Sequence, residues 1–256
     1  TEIMRKTPAI RLCRSRQNDK PEVCDMSFNQ NPNSELSQSV VIGPSEVEVP
    51  ESLIGEAIEF RNEMMKYSCA IRELKTKLEV LNDELSVRNQ RNPIEMIKSR
   101  VKRPESIFGK LRRRGLPLTV ESMTQNLDDI AGVRVICSFI DDIYDVSRML
   151  ARQDDVRVVA IKDYIRSPKV NGYRSYHIVL GIPVYFLDAM EYFPVEVQLR
   201  TMAMDFWASM EHRVCYKKQP RNRERLEQDF CRYARILEEI EGEFETHNER
   251  RGEDGG

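Results

Sequence analysis

The sequence has few of the residues that build metal centres and membrane spans. Its six cysteines include no C-x-x-C pair, and none of its three histidines comes before position 177. This spacing argues against a zinc site, and the scattered cysteines are typical of a reducing compartment. No hydrophobic run approaches the length of a membrane span, and the N-terminus has no basic-then-apolar signal pattern. We therefore expect a cytoplasmic protein with no membrane partner.

Neither sign of charge dominates the chain. The 256 residues include 40 Lys and Arg against 42 Asp and Glu, which gives a formal net charge of −2. Bulk electrostatics therefore do not favour a polyanionic partner, and any basic site must be local. Hydrophobic residues make up 40% of the sequence and charged residues 32%. This composition allows one large domain with a well-solvated surface.

The chain divides into a tail, a helix, a central block and a second helix. Residues 1–50 are polar without a sustained period, and we expect them to be disordered or loosely attached. A helix is predicted within 51–92, packed on its own domain rather than forming a free coiled coil. Its apolar positions recur at steps of three and four: Met64, Tyr67, Ile71, Leu74, Leu78, Leu81 and Leu85. A similar pattern predicts a C-terminal helix within 218–256 that ends in a frayed polar tail.

The central block, residues 93–217, mixes helix and strand signals. Asn92 followed by Pro93 predicts a helix start, and another short helix is predicted from Pro104 to Gly115. Further segments are predicted as strands over 133–139, 156–164, 175–182, 184–187 and 195–200, and as helices over 141–152 and 201–216. Strands surrounded by helices indicate an α+β or α/β domain with one sheet.

Polar side chains alternate along one predicted strand. Glu196, Gln198 and Arg200 are spaced by two residues, so all three lie on the same face of that strand. Unpaired buried charge is costly, so this is not an ordinary core face. We interpret it as the floor of a site for a phosphorylated, metal-bound ligand.

The most basic stretch lies between Arg100 and Arg114. Ser106 and Lys110 are four residues apart, which places them on one helix face. Together with Arg100 and Lys102 they would form a clamp for a triphosphate, because guanidinium and ammonium groups suit phosphate oxygens. A solvated helix face or an RNA-binding patch would give the same composition.

Two carboxylates are candidates for a magnesium site. Asp129 follows Asp128 at the entrance of a predicted strand, where Mg²⁺ would find a carboxylate beside substrate phosphates. A structural turn residue is the alternative. Glu196 supplies a second carboxylate on a second strand, and two carboxylates beside a basic clamp are typical of phosphoryl-type transfer.

A turn at Asn171 and Gly172 leads into Tyr173. This ring would stack on a nucleotide base, or it would be a core tyrosine. His177 lies four residues further on and shares the face of Tyr173 if the segment is extended. Neighbouring Lys and Arg residues favour phosphate contact for this histidine over a structural role.

Residues 99–217 resemble the synthetase domain of RelA/SpoT-type alarmone synthetases, and the short chain resembles the small alarmone synthetases. Five motifs occur in the family's order. They are Arg100-Val-Lys102 with Ser106 and Lys110, Asp129-Ile-Ala-Gly-Val-Arg134, Lys162-Asp-Tyr-Ile with Lys169 and Asn171-Gly-Tyr173-Arg-Ser-Tyr-His177, Val195-Glu196-Val-Gln198-Leu-Arg-Thr, and Phe206-Trp207-Ala-Ser-Met-Glu211-His212.

The resemblance implies a fold, a reaction and an assembly. The fold would be α+β, a nucleotidyltransferase-like mixed sheet flanked by helices with long helices before and after it. The reaction would be Mg²⁺-dependent transfer of pyrophosphate from ATP to the 3′-hydroxyl of GDP or GTP, giving the alarmones of the stringent response. No hydrolase activity is expected, because the His/Asp hydrolase of the long enzymes has no counterpart here. The resemblance also implies a homotetramer, with alarmone or RNA as effector.

The resemblance assigns the donor side residue by residue. Arg100 and Arg134 would sandwich the adenine of ATP. Lys102, Ser106 and Lys110 would hold its phosphates.

It also assigns the metal and the acceptor side. Asp129 would bind Mg²⁺, and Glu196 would activate the 3′-hydroxyl or share the metal. Tyr173 would stack on guanine. The acceptor side would further include Lys162, Lys169, Asn171, His177 and Gln198.

Three other classes of function fit parts of the sequence. A catalytically weak regulator of the same fold would bind nucleotide or RNA, yet both carboxylates are present. An ordinary nucleotidyltransferase would show a Gly-Ser element and a spaced Asp pair on one strand, which the sequence lacks. A scaffold built on the two long helices would leave the Glu-Gln-Arg face unexplained.

Overall fold

The computed structural model describes residues 51–89, 91–215 and 223–253. The tail predicted over 1–50 lies outside them, and the predicted domain boundaries stay predictions. Six helices occupy these ranges: α1 Glu51–Asn89, α2 Pro104–Arg113, α3 Val120–Asn126, α4 Ile140–Ala151, α5 Met202–Cys215 and α6 Arg223–Glu253. The five strands are β1 Ile94–Val101, β2 Ala131–Cys137, β3 Arg157–Asp163, β4 Tyr176–Tyr185 and β5 Met190–Thr201. None of the helices described is both long and apolar enough to cross a bilayer.

The five strands form one mixed sheet in the order β1-β2-β5-β4-β3. The β2–β5 pair is parallel, and the other three pairs are antiparallel. This arrangement confirms the predicted α+β class with a mixed sheet flanked by helices. The parallel pair lies at the centre, so the residues of β2 and β5 have neighbours on both sides.

The two faces of the sheet differ in chemistry. Odd-numbered positions of β2 and β5, such as Val133, Val135, Val195 and Val197, are buried with at most 2% of their surface exposed. The long helix α1 packs against these strands through the apolar positions predicted from its periodicity. Even-numbered positions of the same strands include the polar side chains Arg134, Glu196, Gln198 and Arg200, which lie on the opposite face.

The predicted helix start at Asn92 and Pro93 is wrong. Residues 94–101 form β1, an edge strand that pairs antiparallel with β2. The backbone carbonyl of Pro93 accepts a hydrogen bond from the Ser138 N–H at 3.2 Å, which ties the start of β1 to the end of β2. A local capping pattern is a weak signal, and pairing along a sheet overrides it.

The two strands predicted over 175–182 and 184–187 are one continuous strand, β4. Pro183 is compatible with this continuity, although proline removes a backbone donor from a ladder. The pairing of β4 with β3 ends at Gly181, so Pro183 lies where one edge of β4 is unpaired. The short helix α3 was not predicted; it begins after Thr119, whose hydroxyl accepts a hydrogen bond from the Ser122 N–H at 3.1 Å.

Helix α6 packs against the turn that precedes β4. Gly172 in this turn has a φ of +87°, and a Cβ built on it would lie 2.7 Å from the Cβ of Ala234 in α6. Only glycine combines the left-handed backbone with so close an approach. The turn and α6 therefore depend on each other for their positions.

We predict that Gly172→Ala destabilises the fold by roughly 1–3 kcal/mol through backbone strain, with the steric conflict adding to it. The measurement is thermal unfolding followed by circular dichroism. Gly242→Ala in α6 is the matched control: a Cβ there meets nothing within 4 Å, and alanine is more favourable than glycine in a helix by about 1 kcal/mol. Unchanged unfolding in the Gly172 variant would contradict the predicted close packing.

Candidate active site

One transverse row of polar side chains crosses all five strands. Strand register pairs Lys98 with Arg134, and Arg134 with Gln198. It also pairs Gln198 with His177, and His177 with Lys162. Paired residues share a face of the sheet, so the register itself collects these five side chains on the polar face.

A cavity of about 280 Å³ opens on this face. Its volume is near the lower end of the range for ligand sites, roughly 300–1,000 Å³. The lining residues are Lys98, Ser99, Arg100, Lys102, Asp129, Gly132, Val133, Arg134, Glu196 and Gln198. Six of the predicted site residues therefore meet at one cavity.

Asp129 lies between two lysines at the cavity wall. Its Oδ2 accepts hydrogen bonds from Lys102 and Lys110, each at 2.7 Å. Burial alone would raise the pKa of Asp129, but the two hydrogen-bonded ammonium groups outweigh it, and the net pKa lies below its usual value. The other oxygen, Oδ1, is buried and has no hydrogen-bond partner in the described structure. A buried carboxylate oxygen without a partner is a suitable ligand for a cation.

Glu196 is held by two neighbours on the polar face. Its Oε1 lies 3.1 Å from His177 Nδ1, and its Oε2 accepts from Gln198 Nε2 at 2.9 Å. Burial raises the pKa of Glu196, and the hydrogen bonds from His177 and Gln198 lower it by more. The negative charge of Asp129 works in the raising direction, so the two carboxylates are close enough to interact. Because its net pKa lies below the ordinary value of a glutamate, Glu196 is ionised at neutral pH.

The hydrogen-bond chain continues from Glu196 to Tyr173. His177 Nε2 lies 2.8 Å from the Tyr173 hydroxyl, which also accepts from Arg200 Nη2 at 2.8 Å. A hydroxyl that accepts from Arg200 has its own proton available for His177 Nε2. The tautomer of His177 with its proton on Nδ1 would donate to Glu196 and leave Nε2 to accept from the Tyr173 hydroxyl.

Two aromatic rings flank Lys169. Its ammonium lies 4.6 Å from the ring centroid of Tyr164 and 4.7 Å from that of Tyr173. The edge of Tyr164 also meets His177, with 5.3 Å between the ring centroids. Cation–π contacts of this kind orient a lysine that would otherwise be free to rotate.

Three predicted residues are less closely connected to the cavity. Ser106 is exposed on α2, one turn before Lys110. The side chain of Asn171 accepts a hydrogen bond from the Tyr173 N–H at 3.2 Å, so it shapes its own turn. Lys162 reaches the site only through its register opposite His177, and it is exposed.

Two residues of the site were not predicted from the sequence. Lys98 lines the cavity on β1, and the alternation of Lys98, Arg100 and Lys102 would have revealed it had the segment been assigned as a strand. Asp205 in the first turn of α5 accepts hydrogen bonds from Arg134 and Arg200. Its place in the sequence, among apolar residues of a helix, gives no signal of that role.

Comparisons with known proteins identify the family of the chain. The family model described as "Region found in RelA / SpoT proteins" matches residues 99–221. The GTP pyrophosphokinase YwaC of Bacillus subtilis is 48% identical over 159 residues, which cover 62% of this chain and 76% of that protein.

Two solved structures from the same organism are also similar. The small alarmone synthetase 2 of Bacillus subtilis has a TM-score of 0.67 at 40% identity, covering 75% of this chain and 99% of that one. The small alarmone synthetase 1 bound to its product pppGpp has a TM-score of 0.67 at 35% identity, covering 77% and 99% respectively. On the evidence of the motifs, the sheet and these similarities, the chain belongs to the RelA/SpoT-type synthetases and groups with the small alarmone synthetases.

Proposed function

We propose that the protein transfers pyrophosphate from ATP to the 3′-hydroxyl of GDP or GTP, and so makes alarmones. The observation that carries the proposal is the cavity in which two ionised carboxylates, Asp129 and Glu196, face a set of lysine and arginine side chains. In the reaction the acceptor 3′-oxygen bonds to the β-phosphorus of ATP, the bond from that phosphorus to the α-phosphate oxygen breaks, and AMP leaves. Such a transfer needs positioning and charge neutralisation more than covalent help from the protein.

The donor nucleotide is assigned to the β1–β2 side of the cavity. Arg100 on β1 pairs with Gly132 of β2, two residues before Arg134, and both arginines line the cavity. Two planar guanidinium groups so placed would sandwich an adenine. Lys102 and Lys110 converge on one oxygen of Asp129, and they would bind phosphate oxygens. Ser106 shares the α2 face with Lys110 and would add a hydroxyl donor.

Asp129 and Glu196 are the proposed ligands of Mg²⁺. The unpartnered Oδ1 of Asp129 fits this role. The described residues contain no cluster of three or more His, Cys, Asp or Glu side chains suited to a metal, and Mg²⁺ in nucleotide enzymes is usually held by one or two carboxylates plus substrate phosphates. When bound, the ion would neutralise charge on the donor phosphates.

The acceptor nucleotide is assigned to the β4–β5 side. Glu196 is ionised and would accept the proton of the 3′-hydroxyl, while His177 and Gln198 fix the direction of its carboxylate. Tyr173 would offer its ring to guanine. The remaining acceptor-side residues, Lys162, Lys169 and Asn171, would contact phosphates or shape the turn.

Incubation with labelled ATP, Mg²⁺ and GDP tests the proposal directly, and a catalytically weak regulator would bind nucleotide without forming product. In that assay we predict that Glu196→Gln loses at least roughly a hundredfold in turnover, because the change removes the basicity of a general base and the charge of a proposed Mg²⁺ ligand. Binding of each nucleotide, measured by calorimetry, should change far less than turnover.

Glu191→Gln is the matched control for Glu196→Gln. It makes the same substitution on the same strand. Glu191 does not line the cavity, and its carboxylate forms an ion pair with the Lys66 ammonium at 3.2 Å. The control should keep wild-type turnover. A Glu196 variant within about threefold of wild type would rule out a general base, whose loss costs far more.

A second prediction concerns Tyr173. If its ring stacks on guanine, Tyr173→Ala should weaken GDP binding by roughly 1–3 kcal/mol and leave the binding of a non-transferable ATP analogue nearly unchanged. Tyr173→Phe keeps the ring and should lose less. Tyr185→Ala, at a site with 79% exposure, controls for the loss of a ring. Equal weakening of both nucleotides would indicate a collapsed turn instead.

We also propose a symmetric homo-oligomer, most simply a tetramer, that acts in the cytoplasm where nucleotides are abundant. Exposed apolar side chains follow α5 at four-residue steps, at Met202, Phe206, Met210 and Val214. Others follow α6 at Tyr233, Ile236, Ile240 and Phe244. Contiguous apolar patches of this kind are typical of interfaces, and an assembly would bring copies of the flanking helices together to form a shared site for an effector such as alarmone or RNA.

We predict that light scattering across a dilution series gives a mass well above the 30.0 kDa of one chain, with four chains as the expected number. Phe244→Glu, at a position with 64% exposure, should lower that mass because a charge in an apolar interface is unfavourable. A mass of one chain at every concentration would exclude the assembly.

A further inference from the structure

Asp205 joins the two halves of the site through a single oxygen. Its Oδ1 accepts a hydrogen bond from Arg134 Nη1 at 3.1 Å and another from Arg200 Nη1, also at 3.1 Å. Arg134 lies on β2 on the donor side, and Arg200 lies at the end of β5 on the acceptor side. Asp205 therefore links an arginine of the donor side to an arginine of the acceptor side through hydrogen bonds.

Arg200 organises the acceptor side. Only 4% of its surface is exposed, and its Nη2 donates to the Tyr173 hydroxyl at 2.8 Å and to Gln198 Oε1 at 3.0 Å. A guanidinium so far from water requires a carboxylate partner, and Asp205 supplies it. The position of Arg200 therefore determines how Tyr173 and Gln198 are presented to an acceptor.

Arg134 depends on Asp205 in the same way. Within the described residues, Asp205 is the one side chain that accepts a hydrogen bond from Arg134, whose buried Nε has no partner. Burial and the positive charge of Arg200 lower the pKa of Arg134, and the charge of Asp205 opposes this. Without that carboxylate the two guanidinium groups would repel each other.

We infer that Asp205 is a positioning residue that couples the donor and acceptor sites by holding Arg134 and Arg200 on one carboxylate oxygen. The inference rests on the proposed function, because it takes Arg134 as a donor-side group and Arg200 as support for the acceptor. Asp205 lies in the first turn of α5, so the helix backbone restricts the position of its carboxylate. The positive end of the helix dipole favours an anion there.

The test is Asp205→Asn, which keeps the shape of the side chain and removes its charge. Calorimetry measures the dissociation constants of GDP and of an ATP analogue with a methylene group between its α and β phosphorus atoms. We expect both constants to rise about fivefold or more, equivalent to roughly 1 kcal/mol each. A change in only one constant, or in neither, would overturn the inference.

Asp142→Asn is the matched control. Asp142 is also a buried carboxylate paired with an arginine, Arg91, at 2.6 Å, but it lines no part of the cavity. It should lower thermal stability and leave both dissociation constants within about twofold of wild type, as expected for a purely structural ion pair. If it weakens the nucleotides as much as Asp205→Asn does, Asp205 has no special role.

A double-mutant cycle separates positioning from general destabilisation. If Asp205 acts on the donor through Arg134, then Asp205→Asn should add less than about twofold to the loss of ATP-analogue binding caused by Arg134→Ala. Additive losses would overturn the inference. If Asp205→Asn does not fold, Asp205→Glu replaces it in both tests, since moving the shared oxygen by one methylene should weaken both nucleotides in the same sense.

These measurements also distinguish the inference from the proposed function. If the wild-type protein binds both nucleotides but forms no product, the proposed reaction is contradicted, and the coupling between the two sites is still tested by the binding measurements. If the wild-type protein binds neither nucleotide, both the proposed reaction and the coupling are contradicted.

Discussion

Asp129 accepts hydrogen bonds from Lys102 and Lys110 on one oxygen. This sharing of one carboxylate between two cations is the interaction on which the polar face depends. The face carries more cations than anions, and a buried cation near the sheet is costly without a partner. Asp205 serves Arg134 and Arg200 in the same manner. Each carboxylate thus fixes two cations, which leaves the cationic side chains ordered while their net positive charge remains available to an anionic ligand.

The same excess of cationic over anionic side chains supports the proposal that the site binds phosphate groups. A nucleotide that enters the cavity would meet lysines already oriented by Asp129, so little side-chain entropy is lost on binding. A metal at the unpartnered Oδ1 of Asp129 would compete with Lys102 and Lys110 for that carboxylate. Metal and phosphate binding are therefore expected to favour each other, since lysines displaced from Asp129 gain phosphate oxygens in exchange.

The C-terminal helix ties the acceptor side to the rest of the fold. Arg174 follows Tyr173 directly and is buried, and its Nη1 donates to Glu241 of α6 at 2.7 Å. Glu241 also accepts from the Thr201 hydroxyl at the end of β5, and Trp207 of α5 donates from Nε1 to the Phe230 carbonyl at 2.9 Å. One helix thereby fixes the turn before β4, the end of β5 and the start of α5. Any partner that shifts α6 would act on the presentation of Tyr173.

The sheet class and much of the cavity could be predicted from the sequence, and each of the two main errors has a physical cause. The sequence predicted that Glu196, Gln198 and Arg200 share one face, because the side chains of a strand alternate between its two faces with a period of two. The start of β1 was predicted as a helix because its capping pattern is local, whereas its strand state comes from pairing with residues 131–137, thirty or more positions away. That single error also concealed Lys98. Asp205 was missed for a different reason: its role arises where α5 packs against β2 and β5, and no one-dimensional pattern encodes a contact that depends on the packing of three elements. Residues whose chemistry repeats along one element can be found from sequence, and residues that join elements require the fold.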